Sequence, residues 1–77
     1  MKCTGYFLHT RERPDRKRIE DAWIEAAISH PVVEAVQSDG RIRRWVYVTS
    51  EQRYLRVILL EDGETVHNAF FDRGFRS

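Results

Sequence analysis

Cysteine occurs once in the 77 residues, as Cys3. A lone thiol cannot close an intramolecular disulfide, so the chain must hold its fold by packing, and an oxidising compartment is not implied. The expected role of Cys3 is that of a small, buried apolar side chain. No apolar run approaches the roughly 20 residues that span a bilayer, and the first residues lack the basic-then-apolar layout of a signal peptide. A cytoplasmic protein with no membrane contact is expected. His9, His30 and His67 stand far apart, and no pair has the short spacing of a zinc site. Nor is there a Gly-rich phosphate loop or a local nucleophile signature. No metal and no cofactor is therefore expected. Charge of one sign is also missing: 13 Lys and Arg against 12 Asp and Glu leave a net charge of +1. Any functional argument must rest on where the charges fall.

What the sequence does contain is concentrated after residue 31. Three runs, Arg41 to Thr49, Arg53 to Leu60 and Glu64 to Phe71, are dense in Val, Ile, Leu, Tyr, Trp and Phe, the residues that suit a pleated, half-buried surface. Asp39-Gly40 and Asp62-Gly63 precede the first and third runs, and Asp-Gly between strand-like runs marks a hairpin with a type I′ turn. Val32 to Gln37 adds a short strand before Asp39-Gly40. The four strands form an antiparallel meander.

The helix lies before the meander. Pro14-Asp15 supplies a start, by capping or by the fixed φ of proline in the first turn. Ile19, Ala22, Trp23, Ala26 and Ala27 then follow the spacing of one helical face, with Trp23 as its anchor. Ser29-His30-Pro31 ends it, because the residue before proline is pushed out of the α region. Lys2 to Leu8 reads as a short first strand or an extended arm. The fold expected over residues 1–77 is one α+β domain, a single N-terminal helix packed on a four-stranded antiparallel sheet. A two-residue Asp62-Gly63 loop pairs Leu59 with Val66, Val57 with Asn68 and Leu55 with Phe70, and places these six against Trp23. Tyr54, Arg56, Ile58, Leu60, Thr65, His67, Ala69 and Phe71 then share the opposite face, more apolar surface than a monomer leaves bare. The loop at Ser50 to Gln52 leaves open whether Trp45 and Tyr47 or Val46 and Val48 point inward. Phe75 is expected to tuck the tail against the core.

Two patterns bear on chemistry. His67, Arg56 and Tyr54 fall on one expected sheet face, and a histidine beside an arginine and a tyrosine is an acid/base group suited to cleaving a phosphodiester. His9, Arg11 and Arg13 alternate before the helix, so an extended arm puts all three on one side, where guanidinium groups suit phosphate oxygens. Arg41, Arg43 and Arg44 form a second basic cluster, with Trp45 and Tyr47 beside it to stack on bases. Against each stands the commoner role of a packed histidine or a solvated charged surface.

The order of His9, Arg11, a helix ending in His30-Pro31, the Asp-Gly hairpin with a basic flank, Tyr54-Leu55-Arg56-Val57 and a closing strand resembles a small bacterial domain family. That family is similar to the RelE/ParE and BrnT-like toxins of toxin–antitoxin pairs. The resemblance covers roughly Phe7 to Arg73 and implies a helix on a curved antiparallel sheet whose basic face binds and cleaves messenger RNA. His9 and Arg11, Arg56 and His67 occupy the corresponding places. It implies RNA or the ribosome and an antitoxin-like protein as partners. The alternative expected from the residues is a non-enzymatic module that binds a protein or a second copy of itself through the sheet.

Overall fold

The computed structural model describes residues 1–76. Two helices, α1 (Gly5–Thr10) and α2 (Asp21–Ser29), precede four strands, β1 (Val33–Val36), β2 (Ile42–Val48), β3 (Arg53–Leu59) and β4 (Val66–Phe71). The strands form one antiparallel sheet in the order β1-β2-β3-β4, the meander that the Asp-Gly spacing predicts. Helix α2 lies across β2 and β3, and α1 lies against β4. Both helices cover the same face, because Phe7 of α1 and Ile24 and Ala27 of α2 share one core with Val48, Leu55, Val57, Leu59, Val66 and Ala69.

The N-terminal half differs from the expectation. Gly5 to Thr10 is helical because Thr4 caps it, its Oγ1 accepting the Phe7 N–H at 3.1 Å. The expected first strand survives only as a parallel bridge of Cys3 to Val66, with the Val66 N–H donating to Lys2 O and the Thr4 N–H to Val66 O. Cys3 is accordingly partly buried. Pro14 does open a helical turn, in which the Lys17 N–H reaches Arg13 O at 2.9 Å. That turn does not propagate into α2, because Glu20 is extended at φ −85° and ψ 145°. The helix therefore begins at Asp21, and its buried face carries Ala27 as expected but Ile24 in place of Ala22 and Trp23. Trp23 is only partly buried and meets the Phe71 ring at 6.1 Å between centroids.

The hairpins are present with a different turn chemistry. In the two Asp-Gly turns only the glycines are left-handed, Gly40 at φ +90° and Gly63 at φ +72°, while Asp39 and Asp62 keep negative φ. Type I turns closed by a left-handed glycine replace the expected type I′ turns. Asp62 earns its place through its side chain: Oδ1 accepts the N–H of Glu64 and of Thr65. The Thr65 hydroxyl, which also donates to this carboxylate, and then these backbone bonds hold it down to about 2.

Leu59 pairs with Val66 as expected, but β4 carries one extra residue, His67, before Asn68 pairs with Ile58. Beyond this bulge every side chain of β4 changes face. Ala69 and Phe71 face the helices with Val57 and Leu55, whereas Asn68 and Phe70 join Ile58 and Arg56 on the outer face. The Thr49–Glu51 turn and left-handed Gln52 pair Val48 with Arg53, so Val46 and Val48 point inward and Trp45 and Tyr47 outward.

Candidate nucleic-acid interface

The outer face carries Arg43, Trp45 and Tyr47 from β2 beside Tyr54, Arg56 and Ile58 from β3. The residues after β4 fold back across it. Phe75 stacks on Trp45 at 4.6 Å and meets Tyr54 edge-on at 4.9 Å, and Tyr47 meets Tyr54 edge-on at 5.0 Å. Trp45 is thereby buried while Tyr47 stays 44% exposed. The tail thus covers part of the apolar surface that the sequence leaves on this side.

Asp72 fastens the tail. Its Oδ2 accepts Trp45 Nε1–H at 3.0 Å and Arg56 Nε–H and Nη2–H at 2.9 and 2.6 Å. Its Oδ1 accepts the Gly74 N–H, and its own N–H donates to Tyr54 O. Burial alone would raise this carboxyl, but the Trp45 hydrogen bond and the Arg56 guanidinium outweigh it and hold Asp72 below its ordinary value. Next to this clamp, Tyr47, Tyr54, Phe75, Arg73 and Arg76 line an open groove of about 440 Å³.

The charges sort in an informative way. Ten of the thirteen Lys and Arg residues lie within 4.0 Å of a carboxylate. The three with no acidic partner among the described residues are Arg43, Arg73 and Arg76. Arg43 is bound only by neutral Gln37, through Oε1 at 2.9 Å, and the other two flank Phe75. The cations left without counter-charge among the described residues thus belong to the outer face and its tail, Arg73 and Arg76 lining the groove with Tyr47.

Most residues singled out from the sequence have other occupations. His9 is exposed in the last turn of α1, Arg11 pairs with Asp21, and Arg13 reaches Asp15 at 3.8 Å. They form no extended arm, because the chain is helical and then turns where alternation requires a strand. Arg41 faces Asp39 at 3.8 Å. Arg44 points inward, donating to Glu34 at 2.7 Å and to Ile28 O at 2.9 Å, so it ties β1 to the end of α2. Within β2, neighbours alternate sides, so Arg43 belongs to the outer face where Arg44 does not.

The expected His67, Arg56 and Tyr54 constellation is likewise dispersed. Arg56 is committed to Asp72, and Tyr54 lies at the far end of β3 from the bulge, four to five residues or about 13–16 Å along the strand. His67 stacks on Tyr6 at 4.8 Å, and its Nδ1 lies 3.1 Å from Thr4 Oγ1. In the neutral tautomer protonated on Nε2, the Thr4 hydroxyl donates to Nδ1 while still accepting the Phe7 N–H. Burial, reinforced by Arg41 and opposed by Asp39, pulls His67 below its ordinary value of 6.5. The folded chain therefore binds this proton less readily than the unfolded chain. Its contribution to stability is complete above pH 6.5 and is lost as the pH falls from there through the folded value. Urea midpoints should decline between pH 7 and 5 in the parent protein, on the ordinary histidine scale, and stay nearly level in His67→Gln. Equal slopes would show that His67 does not report on the cap.

Asp72, Phe75, Arg73 and Arg76 are the functional candidates that the sequence did not identify. The aromatic ending Phe70-Phe71-Asp72-Arg73-Gly74-Phe75 was a signal for the tail, but which arginines lack a carboxylate is a tertiary property. No protein-family model matches the chain, and no curated protein or solved structure matches it.

Proposed function

We propose that this chain binds single-stranded RNA on the outer face of its sheet, the binding half of the toxin-like activity that the sequence resemblance implies. The observation that carries this is that Arg73 and Arg76, cations without acidic partners among the described residues, line one groove with the exposed ring of Tyr47. Arginines track the phosphate backbone, and tyrosine faces stack on unpaired bases without regard to sequence. A duplex offers no free base faces, so single strands suit the groove better. Cleavage is the less favoured half, because His67 is engaged by Thr4 and Tyr6 and sits a long way from the groove.

Binding of a labelled mixed-sequence RNA 12-mer, followed by fluorescence anisotropy, tests this. Stacking is worth about 1–3 kcal/mol per base, so Tyr47→Ala should weaken binding roughly 5- to 150-fold. Tyr47 is exposed, and its removal should leave the melting temperature nearly unchanged. Arg73→Ala with Arg76→Ala should weaken binding and flatten its salt dependence by about 0.7 per lost phosphate contact. Absence of binding at low salt, or affinity indifferent to these substitutions, would remove the proposal. The same incubations should leave the RNA intact; cuts that disappear in His67→Ala would restore the nuclease.

A further inference from the structure

The two edges of the sheet are treated differently. Strand β4 is closed at Val66 by backbone bonds to Lys2 and Thr4, and Arg16 reaches Asn68 Oδ1 at 2.9 Å and Ala69 O at 3.5 Å. Strand β1 has no such cover. All four of its residues are exposed, Val36 at 69%, and Val32 just before it at 54%. The segment from Val32 to Val36 contains no lysine or proline, two of the devices that keep bare edges from pairing.

The geometry points to a second copy of this chain as the occupant of β1, joined antiparallel about a two-fold axis so that two four-stranded sheets become one of eight strands. The register follows from the backbone. The Gln37 N–H donates to Arg41 O across the hairpin, so the alternation of an antiparallel ladder turns the groups of Val33 and Ala35 toward β2 and those of Glu34 and Val36 outward. Outward groups must bond outward groups, which leaves three compact choices. Centring the axis on Glu34 sets two carboxylates face to face. A centre at Val36 puts Glu34 opposite Ser38 and bonds fewer strand residues. Centring on Ala35 pairs each Glu34 with Val36 of the other copy, places the smallest side chain on the axis, and satisfies the outward groups of both residues.

Charge favours this self-pairing over a foreign strand of chosen sequence. Glu34 is already neutralised by its own Arg44 at 2.7 Å, so two identical strands meet without net repulsion, and the remaining surface offered is valine and alanine. A four-residue strand is about 13 Å long and buries less than the roughly 1,200–2,000 Å² of stable complexes. The dimer is therefore reversible and concentration-dependent. An axis normal to the continuous sheet turns both outer faces the same way, although the dimer does not depend on RNA binding.

Sedimentation equilibrium from micromolar to millimolar concentration should show a monomer–dimer equilibrium, and Val36→Lys should abolish the dimer while melting as the parent does. Ala35→Cys should give a disulfide-linked dimer under mild oxidation, because the two Ala35 Cα atoms lie about 4.5 Å apart in this register, within disulfide reach. Ser38→Cys, about 20 Å from its counterpart, and the parent with Cys3 alone should not. A monomer at every concentration overturns the proposal. So does a dimer untouched by Val36→Lys, or cross-linking that is equal at positions 35 and 38.

Discussion

Ile24→Ala should destabilise the protein by about 2–5 kcal/mol, the cost of removing a buried aliphatic side chain whose surroundings cannot fully collapse. Stability for a chain of this length is of the order of 4–12 kcal/mol, so the variant should be close to unfolding at room temperature. Ile24 has no exposed surface and sits over Leu55, Val57 and Leu59, which have none either. In two thin layers there is nothing beneath these residues to fill the space that alanine would leave. Trp23, one position earlier, is the larger side chain but only partly buried, and Trp23→Ala should cost distinctly less. Urea melts of the two variants check the order. If Trp23→Ala proves the more damaging, α2 is rotated about its axis from the position described, and the core is centred on the tryptophan.

The contrast between these neighbours shows where sequence pattern succeeded and where it failed. The meander was legible because Asp39-Gly40 and Asp62-Gly63 need left-handed glycine between strands, a local requirement stated in two residues. The end of α2 was legible for the same reason, through Pro31. The helix face was legible in part: Ile19 and Ala27 are buried, but Ala22 is exposed and Ile24 takes the centre, because a stripe that includes Ile19 requires the helix to begin before it. Extended Glu20 breaks it there, and no local signal marks the break. The outward face of β4 was lost in a comparable way. Its first pair was placed correctly, but a bulge depends on what both faces must bury. One extra residue at His67 exchanged Phe70 for Phe71 and dispersed the expected site. At the candidate interface, Tyr54 and Arg43 could be named in advance as strand residues beside aromatics. The importance of Arg73 and Arg76 depends on ten other cations having found acidic partners, which only the folded chain decides.

Asp72→Ala should be the most damaging substitution on the outer face, at about 2–3 kcal/mol. Removing one partner of a buried ion pair costs about 3–5 kcal/mol, and the lower figure applies here because 24% of the Arg56 side chain remains in water. The loss is large because one oxygen serves three donors. Without it, Arg56 keeps only the Trp45 and Phe70 rings near its guanidinium, and the buried indole N–H of Trp45 has no acceptor. Asp72→Asn retains an acceptor for Trp45 but not the charge, so it should fall between parent and alanine, at about 1 kcal/mol. Acid separates the charge from the shape. Because Asp72 is held below 3.8 in the folded protein, its contribution is complete above that pH and is lost as the pH falls through the folded value. The gap between parent and Asp72→Asn, read from urea midpoints, should therefore narrow below pH 4, on the ordinary carboxylate scale. The tail that Asp72 fastens also carries Phe75, Arg73 and Arg76, so Asp72→Ala should weaken RNA binding even at temperatures where the sheet remains folded. Melting within about 0.5 kcal/mol of the parent, the range of an ordinary surface change, would mean that the tail does not close the outer face and that the groove beside it is not a fixed feature of the fold.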